Sequence, residues 1–204
     1  MRGKHTSGYG PDHYTLRARK AGYPARSVFK LEEIQQKHRL LKPGFKVLDI
    51  GAAPGSWSLY ALSLVTPKGM VAAVDLSPMD IGDRENFFLF KGDIFKQDAA
   101  SWIAARGPFN VILSDAAPAT TGNRGVDTAR SAALAECVIT LAEESLVKAG
   151  NLVIKVFQGG ASRQLLNRMK GAFKTVKAFK PQASRRNSFE IYFIGLSKLQ
   201  EFRI

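Results

Sequence analysis

Five short apolar runs, the first four leading into a glycine turn or an acid, constrain this chain more than any other feature. KVLDI (46–50), MVAAVD (70–75), FFLFKGD (87–93), FNVILSD (109–115) and NLVIKVF (151–157) have the length and the β-branched and aromatic content of buried strands. Helical stretches lie among them at 56–65, near 95–105 and at 126–149, the last with apolar residues at 134, 137, 138 and 141 on one face. Strands that alternate with helices predict an α/β fold with a doubly wound parallel sheet. A helix at 161–173 and strands at 174–180 and 188–196 complete a seven-stranded Rossmann-like sheet. No helix separates the last two strands, so they join as a hairpin and the final strand runs antiparallel. Two further helices, 12–21 and 26–39, precede the sheet. Residues 1–11 read as a flexible basic tail and 12–204 as a single domain.

A doubly wound sheet binds its ligand at the carboxyl ends of its parallel strands. Here that rim receives a glycine turn, Gly51-Ala52-Ala53-Pro54-Gly55-Ser56-Trp57, and three acids, Asp75, Asp93 and Asp115. Gly51 and Gly55 admit close backbone approach, and the helix start behind them offers unpaired N–H groups. The G-x-x-x-G spacing is not the dinucleotide fingerprint. Asp75 stands where an acid accepts from ribose hydroxyls, Asp93 where one can accept from an adenine amine, and Trp57 near a base or sulfonium. S-adenosylmethionine carries all of these groups. A nicotinamide or flavin cofactor, or a plain structural turn, remains open on spacing alone.

Charge divides the chain. Thirty lysines and arginines face seventeen acids, a net +13. Residues 1–46 carry +8 and 148–204 carry +10, whereas 47–147 carry −5. Basic ends point to a polyanion, nucleic acid or an anionic membrane surface, around an acidic middle. The membrane is disfavoured because no basic amphipathic helix with an exposed apolar face stands out. The basic residues of HYTLRARKAGYPARSVFK (13–30) and of SRR (184–186), taken with Tyr14, Tyr23 and Phe29, form a mixture suited to phosphate contact and stacking. A single cysteine, Cys137, excludes a disulfide framework and reads as inert core, and a reducing cytoplasm is the expected compartment. His5, His13 and His38 precede the sheet without metal-ligand spacing, so no metal is expected.

Charges inside apolar strands are the sharpest signal. Lys155 interrupts LVIKVF, Asp115 ends FNVILS, and Glu190 stands near the start of SFEIYFIGL. An unpaired buried ammonium costs several kcal/mol, so the three converge either as a structural network or as a catalytic one. Lys30, in RSVFKLEEI, is unremarkable alone, and Glu33 is a ready partner one helical turn away.

The set FKLEEI (29–34), LDIGAAPGSW (48–57), DLSPMD (75–80), GDIF (92–95), SDAAP (114–118), IKVFQG (154–159) and KPQASRRNSFEIY (180–192) resembles the FtsJ/RrmJ family of RNA ribose 2'-O-methyltransferases. The resemblance implies S-adenosyl-L-methionine as donor and a catalytic tetrad at Lys30, Asp115, Lys155 and Glu190. It also implies donor contacts at Gly51, Pro54, Gly55, Trp57, Asp75, Asp93 and Asp115. It further implies a cytoplasmic, monomeric enzyme that methylates a ribose, a uridine, in 23S RNA of the large ribosomal subunit during assembly. A tRNA ribose 2'-O-methyltransferase is the alternative. Ser56 stands where bacterial members often have glycine, a change from which little is expected. Phe189 stands where they often have a basic residue.

Overall fold

The computed structural model describes residues 12–185 and 187–200. The segment 1–11, with the expected tail and His5, lies outside them, as does Arg186. Two helices come first: α1 (His13–Lys20), capped by the Asp12 carboxylate accepting from Thr15 N at 2.9 Å, and α2 (Val28–His38). Then follow β1 (Lys46–Ile50), α3 (Ser56–Val65), β2 (Met70–Asp75), β3 (Phe87–Lys91), α4 (Gln97–Ala104), β4 (Phe109–Ser114) and α5 (Arg124–Ser145). The chain ends with β5 (Leu146–Phe157), α6 (Ser162–Ala172), β6 (Phe173–Phe179) and β7 (Glu190–Lys198). The sheet has the order β3-β2-β1-β4-β5-β7-β6, and β7 is antiparallel to both its neighbours.

Residue parity along the strands decides what meets what. Leu48, Ile50, Ala72, Val74, Ile112, Leu152, Ile154, Val156 and Phe193 face α4, α5 and α6. Val47, Val71, Val111, Leu113, Val153, Tyr192 and Ile194 face α2 and α3. Asp115, Lys155 and Glu190 share the second parity, so they emerge beneath α2, which carries Lys30.

One boundary needs revision, that of α5, and the β2–β3 connection, where the sequence places no helix, has none. Pro78 interrupts residues 76–86, and the carboxylates of Asp75 and Asp80 capture Ser77 N at 2.7 Å and Gly82 N at 2.8 Å, bonds that compete with a helix. Helix α5 stops at Ser145 rather than 149. The Lys198 ammonium donates to the carbonyls of Glu143 and Leu146, capping the last turn, and Leu146 pairs with Phe109 through a register irregularity.

Ser56 does more than fill the glycine position. It is fully buried, accepts from Ala25 N at 2.8 Å and donates to Ala25 O at 3.1 Å, tying α3 to the entry of α2. Ser56→Gly should cost about 1–2 kcal/mol for the two bonds and lower Tm by about 2–8 °C. Calorimetry checks it, and an unchanged Tm would mean that the pair carries no net stability.

Candidate active site

The rim of the sheet holds two cavities divided by the Asp115–Lys155 pair, which is the wall they share: Asp115 lines one and Lys155 the other. The larger, about 620 Å³, is lined by Gly51, Asp75, Asp93, Asp115, Phe95 and Arg130 among others. The smaller, about 510 Å³, is lined by Arg26, Lys30, Lys155, Phe189 and Glu190 among others.

The glycine turn builds one side of the larger cavity. Gly51 takes φ 73°, and a Cβ there would lie 2.5 Å from Ala116. Gly55, at φ 105°, begins α3 beneath Ile81, where a Cβ would come within 2.4 Å. Glycine is therefore required at both places. Asp75 accepts from Ala53 N at 2.9 Å and so fixes the turn. Asp93 accepts from Phe95 N at 3.0 Å. Among the described residues neither carboxylate has an ion-pair partner, which leaves lone pairs for hydroxyl and amine donors of a ligand. Leu76 and Phe95 also line this cavity yet stay 69% and 58% exposed. Large apolar side chains left in water at a cavity mouth suit a flat aromatic ligand, and nothing in the motif spacing singled them out.

Not every expected donor contact lines this cavity. Pro54, after a cis peptide bond, and Gly55 are not among its lining residues. The Trp57 side chain is 2% exposed, its indole donates to Ser27 O at 2.8 Å, and its ring lies 5.8 Å from that of Tyr192. It holds α2 against the sheet.

The four charged residues singled out in the sequence meet. Lys30 Nζ lies 2.6 Å from Glu190 Oε1, and Lys155 Nζ lies 3.0 Å from Asp115 Oδ1 while also donating to the Asp115 carbonyl. Their side chains are only 10–17% exposed. Burial pushes the Glu190 carboxyl up, but the Lys30 ammonium, its hydrogen bond and the Lys155 charge outweigh it, and the net shift is downward. Glu33 is not the partner of Lys30. It accepts instead from Gln182 N at 2.7 Å and Ala183 N at 2.8 Å, fastening the strand-connecting loop to α2.

Tyr192 is the residue that the sequence reading missed. Its hydroxyl donates to Asp115 Oδ1 at 2.6 Å, and it pairs in register with Lys155. Burial first, then the Asp115 and Glu190 charges, push this phenol well above its ordinary value, so it stays a donor. A tyrosine two residues past Glu190 in a buried strand was the available signal. Tyr14, Tyr23 and Phe29, read as possible stacking residues, pack with Ala18, Val28 and Ala183 between α1, α2 and the 180s loop.

Asp49 lies fully buried behind the turn, accepting from Ser58 Oγ at 2.6 Å. Burial, then the charges of Asp115 and Asp75, outweigh that hydrogen bond and push its carboxyl up to about 7. The folded state thus keeps a proton that the unfolded chain releases near pH 4, so stability falls as pH rises from there to about 7. Asp49→Asn removes this loss. Its stability relative to wild type should improve by about 3 kcal/mol between pH 5 and pH 8. Denaturant titrations at the two pH values measure it, and a pH-independent difference would mean that Asp49 is ionised throughout.

Among the described residues no cluster of His, Cys, Asp and Glu has the arrangement of a metal site, and no helix is long and apolar enough to cross a membrane. Cys137 is half-buried against the core, and burial pushes its thiol up.

A seven-stranded sheet in this order, with a carboxylate-lined cavity sharing a wall with a lysine-lined cleft, defines the class: a Rossmann-like methyltransferase. Comparison with known proteins narrows it. The FtsJ-like methyltransferase model matches residues 23–198. Ribosomal RNA large subunit methyltransferase E of Treponema denticola is 48% identical over 189 residues, covering 91% of this chain and 94% of that protein. The protein of the same name from Borreliella afzelii is 48% identical over 186 residues, covering 91% and 97%. A solved ribosomal RNA methyltransferase of Plasmodium falciparum superposes with a TM-score of 0.76 at 28% identity, covering 88% of this chain and all of that one. The chain belongs to the FtsJ-like methyltransferase family, and its methyl donor is S-adenosylmethionine.

Proposed function

We propose that this protein methylates the 2'-hydroxyl of a ribose, a uridine, in the 23S RNA of the large ribosomal subunit. In this reading residues 12–204 form one domain acting as a cytoplasmic monomer. The observation that carries it is the shared wall: Asp115 lines the acidic cavity, and Lys155, bonded to it, lines the basic one. The acidic cavity suits the donor, with Asp75 and Asp93 for its hydroxyls and amine, Leu76 and Phe95 for its base, and Asp115 near its positive centre. When bound, S-adenosylmethionine would supply an electrophilic methyl carbon, with a neutral thioether as its leaving group. The chain's task is to ready the hydroxyl. Lys155 is held against Asp115, donating to its carbonyl and lying 3.0 Å from its carboxylate as an ion pair. Once the Lys155 ammonium has released a proton, its amine presents a lone pair, and that lone pair takes the 2'-hydroxyl proton. Lys30 and Glu190 hold the ribose, one donating and the other accepting. A 2'-hydroxyl target selects RNA over DNA, and the names of the relatives support the large subunit.

The test is incubation with labelled donor and, separately, large subunits, small subunits and tRNA from cells lacking the enzyme. Label in the large subunits alone is the expected result. Label in tRNA alone would replace this reading with the tRNA one.

A further inference from the structure

The basic cleft has an aromatic wall that the chemistry above leaves unused. Phe157 lies on the same strand face as Lys155, one same-face step of roughly 6.7 Å along β5, and it pairs in register with Glu190. Its ring meets that of Phe189 at 4.6 Å between centroids, and both rings line the cleft. The exposed Arg124 guanidinium stands 5.6 Å from the Phe189 ring. Phe189 is only half-buried, and Gln158 N donates to its carbonyl at 2.9 Å, which fixes its backbone at the cleft mouth. Around it stand the cations Arg26, Lys30, Lys155 and Arg185.

We infer that Phe189, backed by Phe157 and flanked by Arg124, is the stacking platform for the unstacked base borne by the reactive ribose. This deepens the RNA reading and rests on it. An aromatic face beside cationic side chains is the chemistry that holds a single-stranded base next to its phosphates. The other candidate aromatic residues, Tyr14, Tyr23 and Phe29, are spent in packing. Where a basic residue at position 189 would bind phosphate as a point charge, a phenyl ring binds the base face and so tolerates any base.

The experiment is the series Phe189→Tyr, Phe189→Leu and Phe189→Ala in the full chain. Affinity for a fluorescein-labelled six-nucleotide oligouridine is read by anisotropy, and KM for unmethylated large subunits is read by methyl transfer. Donor affinity and Tm serve as integrity controls. Phe189→Ala and Phe189→Leu should both weaken oligouridine binding and raise KM by at least about fivefold. Phe189→Tyr should restore both values, and donor affinity should not move. The platform is overturned if Leu performs like Phe, if Ala binds the oligomer as wild type does, or if wild type does not bind it. Failure of the RNA methylation reading looks different: wild type transfers no methyl to the subunits even though the binding series behaves as described.

Discussion

Lys155→Ala is expected to reduce methyl transfer by about 10²- to 10⁴-fold, the range for removing a positioned proton acceptor, while donor binding persists. The separation follows from placement: Lys155 lines the basic cleft and not the donor cavity. Donor affinity from calorimetric titration, set beside single-turnover rates on large subunits, measures both halves. Lys155→Arg sharpens the test. Arginine keeps the positive charge and the bonds to Asp115 but cannot present a lone pair at accessible pH. It should therefore be as inactive as alanine. An active arginine variant would mean that position 155 orients the hydroxyl by charge alone, and an active alanine variant would remove it from the mechanism.

Asp115→Ala should damage donor binding and turnover together, and stability with them. The carboxylate faces the donor cavity, pairs with Lys155 and accepts from Tyr192. Removing it leaves a buried phenol without its acceptor and an ammonium without its counter-charge. Breaking a buried pair costs about 3–5 kcal/mol, reduced here to about 2–3 because both side chains keep some exposure. Tm should fall by about 4–12 °C. Asp115→Asn keeps an acceptor for Tyr192, so it should lose less Tm while still losing donor affinity. Intact donor affinity in both variants would place the donor elsewhere.

Much of this site could be read before the structure because its signals are local conflicts. A lysine inside LVIKVF, an acid ending FNVILS and a glutamate at the head of an apolar strand each oppose their surroundings, and the topology brings those three positions to one edge. Lys30 is different. A lysine on a helix conflicts with nothing, and only resemblance selected it; the structure then pairs it with Glu190. The packing of the Trp57 indole was not legible either. Trp57 follows the glycine turn in sequence, but the start of α3 rotates it under α2, where its indole finds Ser27. Tyr192 stayed hidden because a tyrosine in a buried strand reads as core until the partner of its hydroxyl is known. The end of α5 shows the limit of periodicity: the apolar pattern ran on to 149, but the Lys198 ammonium, distant in sequence, takes the carbonyls of Glu143 and Leu146 and ends the helix at Ser145.

The most direct measurement is alkaline digestion of labelled large-subunit RNA after methyl transfer. Cleavage by alkali needs a free 2'-hydroxyl, so a methyl placed on the ribose leaves its label in an alkali-resistant dinucleotide. That product, formed by wild type and absent with Lys155→Ala, is the result predicted. Label recovered in ordinary mononucleotides would place the methyl on a base and contradict the assignment of the shared wall.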